Sequence, residues 1–518
     1  MKGKLGSAFA LACGCALVLA NTALAASVVQ ASGATSPYAS CVQPSQAGTN
    51  YLNAEVEPQV AVNPTNTSDI VGQWHQDRWS NGGARGIAGA YSKNGGGSWT
   101  DVTVPYTNCA PGGLPYERGS DPWVSFGPDG TAYSSALSFD GSTNRNAVSA
   151  ATSYDGGKTW TNQQTIVAFP TLQFSTDKNA TTADPIHAGV AYTVWDNLIS
   201  PTDQPDDRIH AAAYTGPAEF SKTTDFGLTW SPEQTIIGSG NRQQTIGNII
   251  VVDPKTDVLY DFTDLIVPPN TPFQGTHSNA QLAFVKSTDG GATWTSPQVI
   301  APFNAAGVVD PNTGQAARVG DGLEEVAIDG SGKLYVVWES STNFKKNVKQ
   351  GVGTFDNEVL LSSSVDSGAT WSTPTAIVGP SPLPIFTPTI AVNASGKIAV
   401  TYYDSGRLSP TNTTTWPIDY QVIYSSNGGA TFSPAQHVAG PFDLMSAPVA
   451  RGFFLGDYEG LQSTGTGFIA LFVMTNCNLN PSDPNAAPTG NPLCGPASSN
   501  VTATPNIDPT NVFSATLP

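Results

Sequence analysis

"STDGGATW", residues 287–294, decides how this chain is read. Close copies recur as SKNGGGSW (92–99), SYDGGKTW (153–160), TTDFGLTW (223–230), SVDSGATW (364–371) and SSNGGATF (425–432), about sixty to eighty residues apart. In each, an Asp or Asn side chain can accept hydrogen bonds from backbone N–H groups of its own turn. Gly supplies positive φ, and the Thr or Ser hydroxyl can tie down the far side. The closing aromatic residue then starts the next strand and packs between neighbouring sheets. The octet therefore predicts a hairpin that ends in a hydrophobic peg, and Asn in place of Asp (Asn94, Asn427) gives it a structural rather than a catalytic role.

A second repeat has the pattern strand, turn, strand. It reads PQVAVNPTNTSDIVGQWHQD, PWVSFGPDGTAYSSALSFD, PIHAGVAYTVWD, IIVVDPKTDVLYDFTD, EEVAIDGSGKLYVVWE, PTIAVNASGKIAVTYYD and YEGLQSTGTGFIALFVM, and six of the seven copies are followed by an octet. In residues 120–170 the strands are PWVSF (A), TAYSSALSF (B), NAVSAATSY (C) and TNQQTIVAF (D), with the octet turning C into D. Repetition of such a four-stranded antiparallel sheet predicts an all-β fold, a β-propeller. Seven blades are expected, with six plus an appendage as the alternative. Residues 26–518 form one domain, in which 26–50 supply the missing outer strand of the last blade and 476–511 are an irregular insertion.

Composition agrees with a turn-rich, exported β protein. Of 518 residues, 52 are Gly and 40 Pro, and only 12% are charged. Lys2 and Lys4, an apolar run and Ala23-Leu24-Ala25 before Ala26 have the layout of a cleaved secretory signal, residues 1–25. Cleavage leaves Cys41, Cys109, Cys477 and Cys494, an even number suited to disulfides outside the cytosol. Three connectivities are open, and Cys41 with Cys109 and Cys477 with Cys494 is the pairing favoured here. The net charge of −18 argues against nucleic acid. No later segment is apolar enough to span a bilayer, and a monomer is expected.

Strand alternation puts the A–B turns and the octets at one end, so function belongs at the other, near the axis. Polar residues gather before the A strands: Glu57, Glu117, Arg118, Asp121, Asp177, Lys178, Asp184, Arg242, Asn248, Arg318, Asp321, Glu324, Glu325, Arg451, Asp457, Tyr458 and Glu459. Each alone reads as solvated loop charge, but three arginines in comparable places point to a site. A second set, Asp77, Asp140, Asp196, Asp264, Glu339 and Asp404, ends the B strands. These acids read first as caps of the B–C loops, and second as a Ca²⁺ site. Five scattered histidines do not have the spacing of a zinc centre, and no other cofactor is expected.

The octets resemble the Asp-boxes, or BNR repeats, of the sialidase superfamily, and AVNPTNTSDIVGQWHQDRWSNGGARG and YERGSDPWVSFGPDGTAY resemble secreted bacterial sialidase-like proteins. The resemblance implies a propeller fold and a glycoside hydrolase acting on carbohydrate or glycoconjugate. It also implies an arginine clamp for a substrate carboxylate, Arg118, Arg318 and Arg451, and a nucleophile, Tyr458. Glu324 or Glu325 would be the base of Tyr458 and Asp121 the acid, with Asp184, Asp321 and Asp457 among the substrate-binding residues. Family sialidases usually open blade one with Arg-Ile-Pro, where this chain has Val56-Glu57-Pro58. A carbohydrate- or protein-binding propeller without catalysis is the alternative.

Overall fold

Four consecutive strands, each paired antiparallel with the one before, make the repeating unit of the computed structural model. It describes residues 27–200, 215–240, 242–267, 280–320, 322–346, 353–486, 494 and 508–518. The expected export segment 1–25, Asp321 and most of the 476–511 insertion lie outside these residues. Sheet 2 shows the plan, with A Arg118–Phe126, B Ala132–Phe139, C Asn146–Ser153 and D Thr161–Phe169. The same order builds sheets 1, 3, 4, 5 and 6. The last sheet takes A, B and C from Gly460–Ser463, Phe468–Thr475 and Thr510–Leu517. Its outer strand is Ser27–Gln30, paired with Thr510–Leu517.

The described residues thus form seven four-stranded antiparallel sheets, the first two joined through one Ala84–Gly119 pairing. The A strands touch in a closed cycle, sheet 1 with 2 and onward to 7, then 7 with 1. They therefore line the middle of the molecule. A small sheet of Val308–Val309, Ala316–Arg318 and Phe453–Phe454 ties the loop before sheet 5 to the loop before sheet 7. No helix among the described residues is long and apolar enough to cross a membrane.

The octets explain how neighbouring sheets are held. In residues 287–294, Ser287 Oγ accepts from Gly291 N at 2.9 Å and donates to Asp289 Oδ1 at 2.8 Å. Asp289 also accepts from Thr293 N (2.8 Å) and Thr293 Oγ1 (2.6 Å), and these bonds hold its carboxyl down at about 2. In the Asn versions the last bond is reversed, with Asn427 Nδ2 donating to Thr431 Oγ1 at 2.8 Å. An amide serves this turn as well as a carboxylate because the hydroxyl can either donate or accept.

The second Gly of the octet does more than adopt positive φ. A Cβ on Gly291 would lie 2.5 Å from the Phe220 ring of the preceding sheet, and one on Gly157 would lie 2.3 Å from Val71 Cγ2. The peg follows the same rule. Trp294 packs on Phe220, Trp371 on Phe262 and Phe284, and Trp99 Nε1 donates to Ser514 Oγ of the last sheet at 2.9 Å. Each closing hairpin is thus also the joint to the sheet before it.

Two disulfides are present, Cys41–Cys109 and Cys477–Cys494, the favoured connectivity. The first ties the segment after the outer strand of sheet 7 to the loop that follows sheet 1.

Candidate active site at the axis

The site is built by a backbone irregularity that recurs in the A strands. In sheets 1, 2, 3, 4 and 6 the register between A and B slips at the same place. Two A residues there oppose one residue of B, which is a β-bulge. The first bulged residue has positive φ in all five: Glu57 (54°), Asp121 (50°), Lys178 (42°), Gly247 (79°) and Thr387 (50°). Positive φ is sterically unfavourable for side chains with a Cβ, and four of the five have one. The bulge interrupts the two-face alternation of the strand, so these side chains can meet where the A strands converge.

They meet as an ion network. Lys178 Nζ lies 2.7 Å from Asp457 Oδ2, 3.3 Å from Asp121 Oδ2 and 3.5 Å from Glu57 Oε1. Arg318 grips Asp457 with two prongs, Nε to Oδ1 at 3.2 Å and Nη2 to Oδ2 at 2.6 Å. Asp457 N donates to Glu57 Oε1 at 3.2 Å. His75, fully buried, brings Nε2 within 3.1 Å of Glu57 Oε2 and accepts from Asp121 N at 2.7 Å. Burial alone would raise the carboxyl of Asp121, but Lys178, with the Ser120 hydroxyl, outweighs it and holds the group well below the usual carboxylate range. Asp457 is likewise held low against burial by Lys178 and Arg318.

Beside the network a pocket of about 290 Å³, mouth included, opens between sheets 2 to 5 and the loop before sheet 7. Trp123 and Tyr458 form an aromatic wall, with ring centroids 5.4 Å apart, and Lys178, Asn248, Glu324 and Glu325 complete the polar lining. Burial pushes the Glu325 carboxyl up to about 8, so it is protonated at neutral pH. Glu324 is also raised well above its ordinary value, first by burial and then by the nearby Asp264 and Asp261. The phenol of Tyr458 is held well above its ordinary value by burial and then by Asp121 and Glu57. Its hydroxyl donates to the Pro122 carbonyl at 3.4 Å.

Of the residues singled out from sequence, Asp121, Arg318, Glu324, Glu325, Asp457 and Tyr458 gather at this axis. Others do not. Arg118 is buried over Trp79, with its guanidinium donors taken up by Gln46, Asn81 and the carbonyls of Ala47 and Gly82. Arg451 is exposed. The three arginines of the expected clamp therefore have three different surroundings. Asp184 is a correction. Strand A of sheet 3 is Phe174–Ala183, so Asp184 opens the A–B turn at the octet end. There it caps Ile186 N (2.7 Å) and His187 N (2.8 Å) and accepts from Tyr192 Oη (2.8 Å).

Of the acids that end the B strands, Asp404 caps its own B–C loop, accepting from Gly406 N at 2.7 Å, whereas Asp77 and Asp140 accept from Asn53 N (2.8 Å) and Glu117 N (3.3 Å) ahead of the A strands and Asp196 from Gly247 N (3.0 Å) of the next sheet. Among the described residues, the groups with metal-ligand geometry are Glu57–His75–Asp121 and Asp184–His187–Asp257. The first suits a cation poorly, because the His75 Nε2 lone pair already receives the Asp121 N–H and Lys178 supplies the positive charge. Sequence reasoning passed over His75, which is in the middle of a strand and has no spacing signal.

No family model matches the chain, and a search of curated proteins finds no match. Among solved structures, an α-L-arabinanase from Penicillium chrysogenum complexed with arabinobiose is similar at 14% identity and TM-score 0.44, covering 74% of this chain and 94% of that one. A Hadza microbial sialidase is similar at 13% identity and TM-score 0.41, covering 79% and 72%. A sialidase from Streptococcus pneumoniae, NanB, is similar at 11% identity and TM-score 0.40, covering 92% and 70%. All three are carbohydrate-active enzymes. Likenesses at this level leave the reading of the site to its own residues.

Proposed function

We propose that the chain is a secreted, sialidase-like glycoside hydrolase on a seven-bladed Asp-box propeller. It acts at the axial pocket on exposed sugars of polysaccharides or glycoconjugates. The observation behind this reading is a pair of carboxyls driven apart beside an aromatic wall, with Glu325 protonated at neutral pH and Asp121 ionised. Such divergence separates an acid from a carboxylate that stays ionised. Glu325 protonates the departing glycosidic oxygen, and Tyr458 attacks the anomeric carbon, its proton passing to water, while the Asp121 carboxylate offsets the positive charge that develops there. Glu325 thus takes the acid role that the sequence gave to Asp121. Arg318 is already paired with Asp457, which favours a sugar without a carboxylate over a sialoside.

The test compares aryl glycosides with good and poor leaving groups, a sialoside included, on wild-type, Glu325→Gln and Tyr458→Phe proteins. Loss of a general acid should cost roughly 10²–10⁴-fold on poor leaving groups and much less on activated ones. An equal effect on both removes Glu325 from that role, and full activity in Tyr458→Phe removes the nucleophile. One observation favours a binding-only propeller, namely that the Tyr458 hydroxyl faces a backbone carbonyl rather than a carboxylate. Saturable sugar binding without turnover would select that reading.

A further inference from the structure

The axial pocket holds buried acceptors that lack donors. Glu324 is fully buried, and neither of its carboxyl oxygens has a hydrogen-bond partner. Asn179 and Asn248, 2% and 1% exposed, each have an Oδ1 without a partner. Their amide orientations are fixed from the other side, since Asn179 Nδ2 donates to Ser135 Oγ at 2.7 Å and Asn248 Nδ2 to Asp196 Oδ1 at 2.6 Å. All three residues line the pocket. Among the described residues that line the pocket the one cation, Lys178, is held by Asp457, Asp121 and Glu57.

Buried acceptors left unpaired in a folded protein call for a ligand that brings donors. The aromatic wall of Trp123 and Tyr458 has the negative ring faces that attract a cation and the flat surfaces on which a sugar ring stacks. We propose that this pocket selects a pyranose carrying a free, protonated amine, an unacetylated amino sugar, with the ammonium group directed to Glu324 and the Asn179 and Asn248 carbonyls. The inference rests on the pocket being the substrate site proposed above, and it names the sugar class. Glu324, protonated in the empty pocket, gives its proton to solvent as the ammonium pairs with it, and a carboxylated sugar supplies no such positive charge. An N-acetylated one would lose both the charge and two of its N–H donors.

The test is a titration of the full chain, followed by calorimetry and tryptophan fluorescence, at a pH where the sugar amine is protonated. The probes are glucosamine, galactosamine and mannosamine, their neutral parent hexoses, N-acetylglucosamine and N-acetylneuraminate. At least one amino sugar should bind about tenfold or more tighter than its neutral parent, and its N-acetyl form no tighter than that parent. Glu324→Gln should remove most of the preference of the amino sugar over its neutral parent. The wild-type series decides the matter even where that variant does not fold. Equal binding of amino and neutral sugars, tighter binding of N-acetylneuraminate, or no binding of any amino sugar overturns the inference. Turnover is scored separately. An amine preference without hydrolysis upholds the ligand class and rejects the hydrolase, whereas hydrolysis that depends on Glu325 but shows no amine preference does the reverse.

Discussion

Replacing Gly291 by Ala should destabilise the protein far more than replacing Gly290, its neighbour in the same turn. Both have positive φ, 66° at Gly290 and 84° at Gly291, so each pays about 1–2 kcal/mol for a Cβ in the left-handed region. A Cβ on Gly290 meets nothing within 4 Å, and that strain is its whole cost. At Gly291 the methyl would lie 2.5 Å from Phe220 Cζ and 2.9 Å from Cε1. Phe220 is buried, stacked against Tyr192 and met edge-on by Trp294, so it has little room to move. Overpacking of this kind adds roughly 1–3 kcal/mol, giving about 2–5 kcal/mol for Gly291→Ala. Urea unfolding of the two variants and wild type, with the m-value held constant, reads the difference as a shift of midpoint. Equal midpoints for Gly290→Ala and Gly291→Ala would refute the view that this glycine is a joint between sheets.

Two further outcomes follow from the axial network. Lys178→Met leaves Glu57, Asp121 and Asp457 with Arg318 as their main cation, and loss of one partner from a buried pair costs about 3–5 kcal/mol. Paired replacement with Asp457→Asn should recover part of that in a double-mutant cycle, and strict additivity of the two changes would count against the network. Glu325 gives a pH signature. Its folded value, near 8, is above the unfolded one, so it stabilises fully below pH ~4.5 and loses that contribution as pH rises toward 8. Glu325→Gln should flatten the pH dependence of unfolding free energy in that window by at most about 1.4 kcal/mol per pH unit, and an unchanged slope would show that Glu325 does not titrate there.

The octets could be read from sequence because each is a local device, in which side chain, turn and hydroxyl are all within eight residues. What eight letters do not reveal is their second use. The glycine at 291 looks like a turn glycine until Phe220, 71 residues earlier, is placed against it. Asp184 was misplaced for a related reason. PIHAGV has the look of a strand beginning after Pro, while the true strand A, FSTDKNATTA, is polar and packs partly through bonds from Asn179 and Thr181 to Ser135 of the preceding sheet. The bulges were the least legible feature. A two-residue period has no room for an inserted residue, and Glu57-Pro58 and Asp121-Pro122 look like ordinary strand starts. Arg118 and Arg318 occupy similar places in the repeat, and only their neighbours, carbonyls and amides for one and Asp457 for the other, tell them apart.

The outer strand of the last sheet, Ser27–Gln30, has a consequence for biogenesis. Its partner strand, Thr510–Leu517, is synthesised nearly five hundred residues later, so this pairing cannot form until that strand has emerged. Until then Ser27–Gln30 remains without a mate, and the preceding sheets wait with an unclosed seam. A transcript cut a few codons short would strand Ser27–Gln30 and bare the flank of Phe468–Thr475, an apolar edge ready to recruit a strand from another molecule. Deletion of Thr510–Leu517 should therefore show up as clumped material rather than as a slightly less stable protein.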